Sequence, residues 1–476
     1  MRMKMQTVLV LHCHSSSQNM FLICFLKDTS TRSSCTTWSA SCINIANIFF
    51  FFCFLSKILK LILFYLFLMH TVKDNIWKNY LLIFFQGWWF TLPIYQLYFM
   101  DEFNLSFTQM GSLESSLAIL FFILTIPCGA FSDLISRKWS IFIGSFSTGI
   151  SIIIMGFGSS YFVFLIAYLT WAVGDAFLLN ARSALMYDTV KQMGVEEKFI
   201  KISGRGNIIG VFSLIFSGFL GPLLYERNIR LPWFIMGSLW LISTLITVTM
   251  IEPSKRSEEY TLRNYLKKIG EGFKFIRQEK HVLWVIFFIL ALDVPLGIFN
   301  ELISQRFFLD IGFQILDFIW IFPVIYGIAS LSASQSHHIS KLLGETGSFI
   351  FILIMHSFGL LLMGIIQSPF IIILTVVMYI SRDFRWIFAS DFINKYSASH
   401  IRATILSIKT MLISLVMSFS YVLGGFLVDK IGGFDTLVIV GCFTIVCSII
   451  LFLTKPKSNN ENSSGESIQP IDLPGS

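Results

Sequence analysis

Charge is what this sequence has least of. Only 13% of its 476 residues are charged, about half the roughly 25% of an ordinary soluble domain. That is too few to cover the surface of a soluble body of this size. Metal-binding signals are also missing. The eight cysteines form no C-x-x-C pair, and the ligand-type run His12-Cys13-His14 finds no partners at a spacing that completes a four-ligand shell. No Gly-x4-Gly-Lys-Ser/Thr run is present, so a nucleotide-driven pump is not indicated. His337-His338 beside Lys341 is too poor a cluster for an enzyme acting on lipid-like substrates, so neither a catalytic residue nor a cofactor is assigned. What the chain has in excess is apolar bulk: 55% of residues are apolar or aromatic, mean hydropathy is +0.73, and the 51 phenylalanines outnumber the 35 lysines and arginines together. The solvent that matches such a surface is lipid.

A helix rises 1.5 Å per residue and needs about 20 apolar residues to cross a hydrocarbon core about 30 Å thick. From Trp77 onward such runs recur, at 77–100, 107–131, 139–158, 161–187, 204–224, 232–251, 282–304, 314–334, 347–366, 370–392, 403–427 and 436–454. The longest polar interval, 252–281, divides these runs six and six. The sequence therefore predicts an all-α membrane protein with twelve transmembrane helices in two six-helix bundles, 69–251 and 282–454. They are joined by the linker 252–281 and followed by a polar tail, 455–476, expected to be disordered. In the linker Leu262, Tyr265, Leu266, Ile269, Phe273 and Ile276 recur at helical spacing with Lys267, Lys268, Lys274 and Arg277 on other faces. This is the pattern of an interfacial amphipathic helix, or of a simple tether. Residues 1–68 allow three readings: an interfacial helix, a weak thirteenth span, or sequence upstream of a start at Met69.

The formal charge of +7 matters by its placement, and no nucleic-acid partner is read from it. With residue 70 in the cytoplasm, the inner loops collect Lys73, Arg137, Lys138, Lys191, Lys198, Lys201, Lys341, Lys395, Arg402, Lys455 and Lys457. The outer loops hold Arg227, Arg230, Arg306 and Lys430. The positive-inside rule then puts both ends of the twelve-helix core in the cytoplasm of a plasma-membrane protein.

An internal repeat supports the division. A shift of 203 residues lays Arg182-x5-Asp188 on Arg385-x5-Asp391, each at the same end of the fourth helix of its half. The loop after the second span reads Gly129-Ala-Phe-Ser-Asp133-Leu-Ile-Ser-Arg137-Lys138. Here the sequence resembles the major facilitator superfamily, whose signature in that loop is Gly-x-x-x-Asp-x-x-x-Arg-Lys/Arg. Ile126-Pro127-Cys128-Gly129 is similar to the Glu-Ile-Pro-Thr-Gly of a bacterial and archaeal branch, Ala184-Leu-Met-Tyr187-Asp188-Thr-Val-Lys191 to its Ala-Leu-x-Tyr-Asp-Ser-Leu-Lys, and Arg402-Ala-Thr-Ile-Leu-Ser407 to the opening of its helix 11. The departures are Ser136 for a glycine, Leu134 for an arginine, Thr125 for an acidic residue and Thr170 where a coupling arginine would stand. The helix-5 antiporter pattern survives only as Gly221-Pro222.

The resemblance implies two pseudo-symmetric bundles with a cytoplasmic gate of Gly129, Asp133, Arg137, Lys138, Asp188, Arg385, Asp391 and Arg402. In it Asp133 would sit near the N-terminus of helix 11, where amide groups favour an anion. The plainer reading of Arg137 and Lys138 is topology alone. Helices 1, 4, 7 and 10 line the cavity in this fold, and they carry the polar residues that are expensive at membrane depth. Helix 1 offers Gln86, Trp89, Pro93 and Gln96. Helix 4 aligns Asp175 with Arg182, and helix 7 places Asp293, Gly297, Asn300 and Glu301 on one face. Helix 10 brings Tyr379, Arg382, Asp383 and Trp386 together. Asp175 and Asp293 are the expected proton carriers, with Arg382 as a moving partner or an anion-binding group; the alternative is an interhelical ion pair. Glu114 reads as structural, and Glu301 and Arg306 read equally well as interfacial side chains. Pro93, Pro295 and Pro323 can kink their helices, and Gly206-x-x-x-Gly210 permits close helix contact.

The function these features imply is a monomeric secondary transporter that moves a small organic solute by alternating access, coupled to protons. The alternatives are a non-transporting sensor or chaperone on the same fold, and an integral membrane enzyme. Trp88, Trp89, Tyr95 and Tyr98 suit a sugar ring or a lipophilic drug, and the arginines of helix 10 suit an organic anion.

Overall fold

The computed structural model describes residues 71–179, 181–253, 262–334, 336–397 and 402–456, all within one unit of the chain. Side chains at 262–265, 268, 333, 334, 336–340, 345, 391 and 403 are not described, so Asp391 and His337-His338 lie outside the described side chains. The extension 1–68 and the tail beyond 456 lie outside the described residues. Among the described residues every regular element is helical.

Among the described residues ten helical stretches are long and apolar enough to cross a membrane. They are α2 (Phe107–Leu134), α3 (Arg137–Phe157), α4 (Tyr161–Gln192), α5 (Glu196–Arg227), α6 (Leu231–Val248), α7 (Lys280–Asp310), α8 (Ile315–Ser332), α9 (Thr346–Ile365), α11 (Thr404–Ile431) and α12 (Gly433–Thr454). The other two expected spans are present in altered form. α10 (Ile372–Tyr396) is long enough, but Arg382, Asp383 and Arg385 charge its middle. α1 (Asn75–Gln86) stops at Gly87 and resumes only at Tyr95–Leu97, which leads into a π-helical turn at Tyr98–Glu102. The sequence run 77–100 reads as one continuous helix; Gly87 and Pro93 interrupt it, and Pro93 lies in the break instead of kinking a helix. The break is packed against α5, where a methyl at Gly221 would overlap the Phe90 carbonyl. The surviving Gly221-Pro222 therefore has a packing role.

α4 is also interrupted. Leu179 leaves helical geometry with ψ 118°, so the spacing that would align Asp175 with Arg182 is not kept. A second π-helical turn, Phe299–Ile303, lies in α7. It stands 201 residues after the first, at the corresponding place in the second half.

Helix ends are set by local chemistry. Ser106 and Gln109 form a reciprocal capping box at the start of α2. Ser136 caps α3 by accepting from the Trp139 amide at 3.1 Å, which accounts for a serine where the family motif has glycine. The six N-terminal helices are tied where they begin and end. The Asn75 amide donates to the Ile251 carbonyl at 2.8 Å and accepts from the Ile251 amide at 3.0 Å, and Lys78 Nζ donates to the Thr249 carbonyl.

The halves meet along α2 with α11 and α5 with α8. Gly111 lies against the Tyr421 carbonyl and Gly425 against the Phe107 carbonyl, so any side chain at either position would force the two backbones apart. Gly218 of α5 faces Pro323 of α8. One buried cluster spans both halves, including Tyr98, Phe99, Phe164, Phe299 and Phe308. Elsewhere Phe162, Ile208, Phe419 and Leu453 are 70–76% exposed, an outward apolar surface suited to lipid. The linker contains the helix Leu262–Gln278. Its Gly272 packs on Thr404 and Ile408 of α11, while its Ile276 is buried among Trp284, Phe349 and Phe392.

Candidate functional site

Three groups of polar residues stand out, one at each end of the bundle and one between. At the first end Arg137 contacts the Asp188 carboxylate, lies 3.7 Å from Asp133 and donates to the Ala184 carbonyl at 3.0 Å. The expected trio thus comes together, within the N-terminal half. Asp133 is 43% exposed, and pairs this accessible contribute little to stability, so the arrangement orients charges more than it holds the fold. Gly129 sits in the last turns of α2, and the Lys138 ammonium lies 5.8 Å from the Trp139 ring centre. Glu252 completes the group. It accepts from the Ser136 hydroxyl at 2.6 Å and from the amides of Arg137 and Lys138 at 3.0 and 2.8 Å, an anion seated on the N-terminus of α3. Sequence reasoning missed it, because a lone acid just after an apolar run carries no periodicity or motif.

The other expected gate residues are elsewhere. Arg402 donates to the carbonyls of Asn394 and Ser397 at 3.1 and 3.4 Å, closing the end of α10. Arg385 is 1% exposed and is buried against Asp293 of α7, while donating to the Ile289 carbonyl at 3.3 Å. Lys409 of α11, 4% exposed, is within electrostatic reach of the same pair and lies 4.5 Å from the Trp386 ring centre. This lysine, in the second turn of the eleventh apolar run, was legible as a cost within a span and was not singled out.

The middle group bridges the halves. The Tyr95 hydroxyl donates to Glu301 at 2.8 Å and lies 2.9 Å from the Asn300 carbonyl; Tyr379 donates to the Asn300 side-chain oxygen at 2.6 Å. Glu301 is thus held inside the bundle and is not an interfacial side chain. Glu114, for which sequence favoured a structural role, accepts from Tyr168 at 2.9 Å and is within electrostatic range of Glu301, as is Tyr421. Arg382 pairs with Asp383 at 2.7 Å and lies over the rings of Tyr379 and Tyr326, at 4.6 and 5.9 Å from their centres. Next to this group the Trp171 indole donates to Asp175, and Trp89 lies tilted against Trp171 with ring centres 5.6 Å apart. Arg182 turns instead to Gln86 at 3.1 Å, and Gln86 donates to Ser145 and Ser243.

At the far end the halves are joined directly. The Gln96 and Gln305 side-chain oxygens each accept the other's backbone amide at 2.9 Å, and the Gln96 amide group reaches the Asn300 carbonyl at 2.7 Å. Asp429 of α11 accepts from the Phe107 and Thr108 amides at 3.0 and 2.8 Å and from the Thr108 hydroxyl at 2.6 Å. It caps α2 from the other half. Arg306 adds a looser contact with Asp101 at 3.5 Å.

A sequence model described as Major Facilitator Superfamily matches residues 80–384. The chain belongs to that superfamily. Among curated relatives, Multidrug resistance protein 2 of Bacillus subtilis (strain 168) is 25% identical over 203 residues, which span 42% of this chain and 49% of that protein. An uncharacterized MFS-type transporter of Methanocaldococcus jannaschii is 22% identical over 374 residues, 76% of this chain and 93% of the relative. Among solved structures, a point mutant of the nucleoside transporter NupG aligns with TM-score 0.68 at 17% identity, over 81% of this chain and 100% of that one. A D-xylose-proton symporter aligns with TM-score 0.63 at 14% identity, over 80% and 97%. The twelve-helix fold of a multi-pass membrane transporter family is therefore established for this member.

Proposed function

We propose that this superfamily member is a secondary transporter that carries a small organic solute across the plasma membrane by alternating access, driven by protons and working as a monomer without enzymatic chemistry. Both ends of its twelve-helix core face the cytoplasm. The observation that carries the reading is the pair of inter-half contacts, Gln96 with Gln305 and Asp429 with the start of α2, the first of them next to the Tyr95 bond to the interior carboxylate Glu301. These polar contacts stand beside an apolar cluster shared by the halves, so opening that end parts both while each half keeps its own packing.

In this reading the Asp429 end is the outer side, closed here. Opening it requires the Asp133, Arg137 and Asp188 end to approach the C-terminal half in turn. Asp175 is the first candidate for the proton, since its partner is the neutral Trp171, whereas Asp293 is held by Arg385. The test is flux into proteoliposomes from a panel of solutes, with and without an imposed pH gradient. Gradient-dependent accumulation of one solute supports the proposal. Binding of solutes with no flux under any gradient favours a sensor on the same fold.

A further inference from the structure

The charges in the middle of the bundle are not evenly paired. Arg382 has Asp383 and two tyrosine rings, and Arg385 has Asp293, with Lys409 close by. Three carboxylates differ. Among the described residues no salt bridge holds Glu114, Glu301 or Asp175; their partners are a tyrosine hydroxyl, a second tyrosine hydroxyl and an indole N–H. Arg182, which also has no acidic partner among the described residues, donates to Gln86 beyond the interruption of α4. Glu114 and Glu301 lie toward the Asp429 end, and Asp175 lies two helical turns deeper than Tyr168. By helical rise Glu114 is about 10 Å below the start of α2, just under the contacts that join the halves.

The acids share this region with aromatic faces. The Tyr168 ring, whose hydroxyl is bonded to Glu114, is 6.5 Å from that of Trp171, which is bonded to Asp175 and tilted against Trp89. The Trp240 ring meets Trp89 edge-on at 6.2 Å; it is 5% exposed, and its indole N–H has no partner among the described residues. Of the three, Glu301 alone has a cation, Arg382, within electrostatic reach, and Arg382 is already paired with Asp383; carboxylates so weakly compensated at this depth are costly. Protons can neutralise them in the empty protein. An organic cation neutralises them and also gains the faces of electron-rich rings.

We propose that Glu114 and Glu301, one from each half, together with Asp175 and the rings of Tyr168 and Trp171, form a binding site for an organic cation with an apolar body. An organic anion, the ligand suggested by the helix-10 arginines, is disfavoured because both arginines already have carboxylate partners. The proposal rests on reading the protein as a transporter with its solute between the halves, and it specifies that solute's charge.

Equilibrium binding to the full-length protein in nanodiscs tests it, using radiolabelled tetraphenylphosphonium against its isosteric anion tetraphenylborate and the neutral triphenylphosphine oxide. The expected result is saturable phosphonium binding that neither analogue displaces. Affinity falls on the order of ten-fold in Glu114→Gln and in Glu301→Gln, and is unchanged in Glu226→Gln at the exposed end of α5. The comparison of isosteric ions on the unaltered protein decides the matter even where a variant fails to fold. Absent phosphonium binding, tetraphenylborate binding as tightly, or wild-type affinity in both folded glutamine variants overturns the site. Phosphonium binding without flux upholds the site and defeats the transport reading. Flux of an anionic or neutral solute without phosphonium binding does the reverse.

Discussion

Gln96 and Gln305 hold one another by an exchange of identical bonds, each side-chain oxygen accepting the other's backbone amide at 2.9 Å. The pair joins the two halves at one end of the bundle, and each member of it is fully buried. Replacing either glutamine by alanine leaves the partner's amide without its acceptor and also removes a donated bond, to the Asn300 carbonyl from Gln96 or to the Leu92 carbonyl from Gln305; leaving the buried amide unpaired alone takes about 1–3 kcal/mol from the closed arrangement. That is enough to shift a two-state population by roughly ten-fold. Spin labels at Glu102 and Asp310 should show a longer, broader distance distribution in Gln96→Ala than in the parent. An unchanged distribution would show that these bonds do not set the balance between closed and open forms.

Asp429 offers a separable test of the same end. Its carboxylate caps α2 with three bonds, so Asp429→Ala should remove a charged cap worth about 1–2 kcal/mol. Asp429→Asn keeps an acceptor and loses the charge. The expected order of outward opening, read with the same labels, is alanine above asparagine above parent. Equal opening in both variants would argue that the charge carries all of the effect.

Glu252 is expected to act on stability alone. Its removal uncaps α3 and leaves the Arg137 and Lys138 amides without an acceptor. Glu252→Ala should lower unfolding stability in detergent by about 1–2 kcal/mol, with solute affinity unaltered. A change in affinity at unchanged stability would give this residue a direct part in transport.

The Arg385–Asp293 pair should show strong coupling. Arg385→Met takes the direct partner from a buried carboxylate, leaving it only the more distant Lys409, and should cost about 3–5 kcal/mol, whereas adding Asp293→Leu to it should recover part of that loss, Lys409 then being without its acid. A double mutant no better than the single would place the instability in lost packing.

For proton coupling, Asp175→Asn should abolish accumulation driven by a pH gradient while exchange of labelled for unlabelled solute continues, at a lower affinity if the solute is the proposed cation. Retained gradient-driven accumulation would remove Asp175 from that role, and Asp293→Asn would be the next variant to measure.

The twelve spans, the six-and-six division and the trio Asp133, Arg137 and Asp188 were legible in the sequence, because length, hydropathy and a loop motif are properties of contiguous residues. The interruption of α1 was not, since Gly87 and Pro93 sit within a run whose apolar character continues unbroken. The destinations of Arg182 and Arg385 were not legible either. Helical spacing tells which residues share a face, but not which helix that face meets; Arg182 turned to Gln86 and Arg385 to Asp293. Glu114 was visible as a lone acid, and its importance depended on Glu301, 187 positions away. Only the packed bundle brings those two within reach of one another.

The first and last turns of the N-terminal six helices are fastened together, by the reciprocal bonds between Asn75 and Ile251 and by Lys78 on Thr249. A polypeptide whose two ends are stitched side by side does not depend on its continuation to keep its shape. Severing the chain between 254 and 261 should therefore yield two fragments that reassemble when made in the same cell, the first keeping its own register throughout.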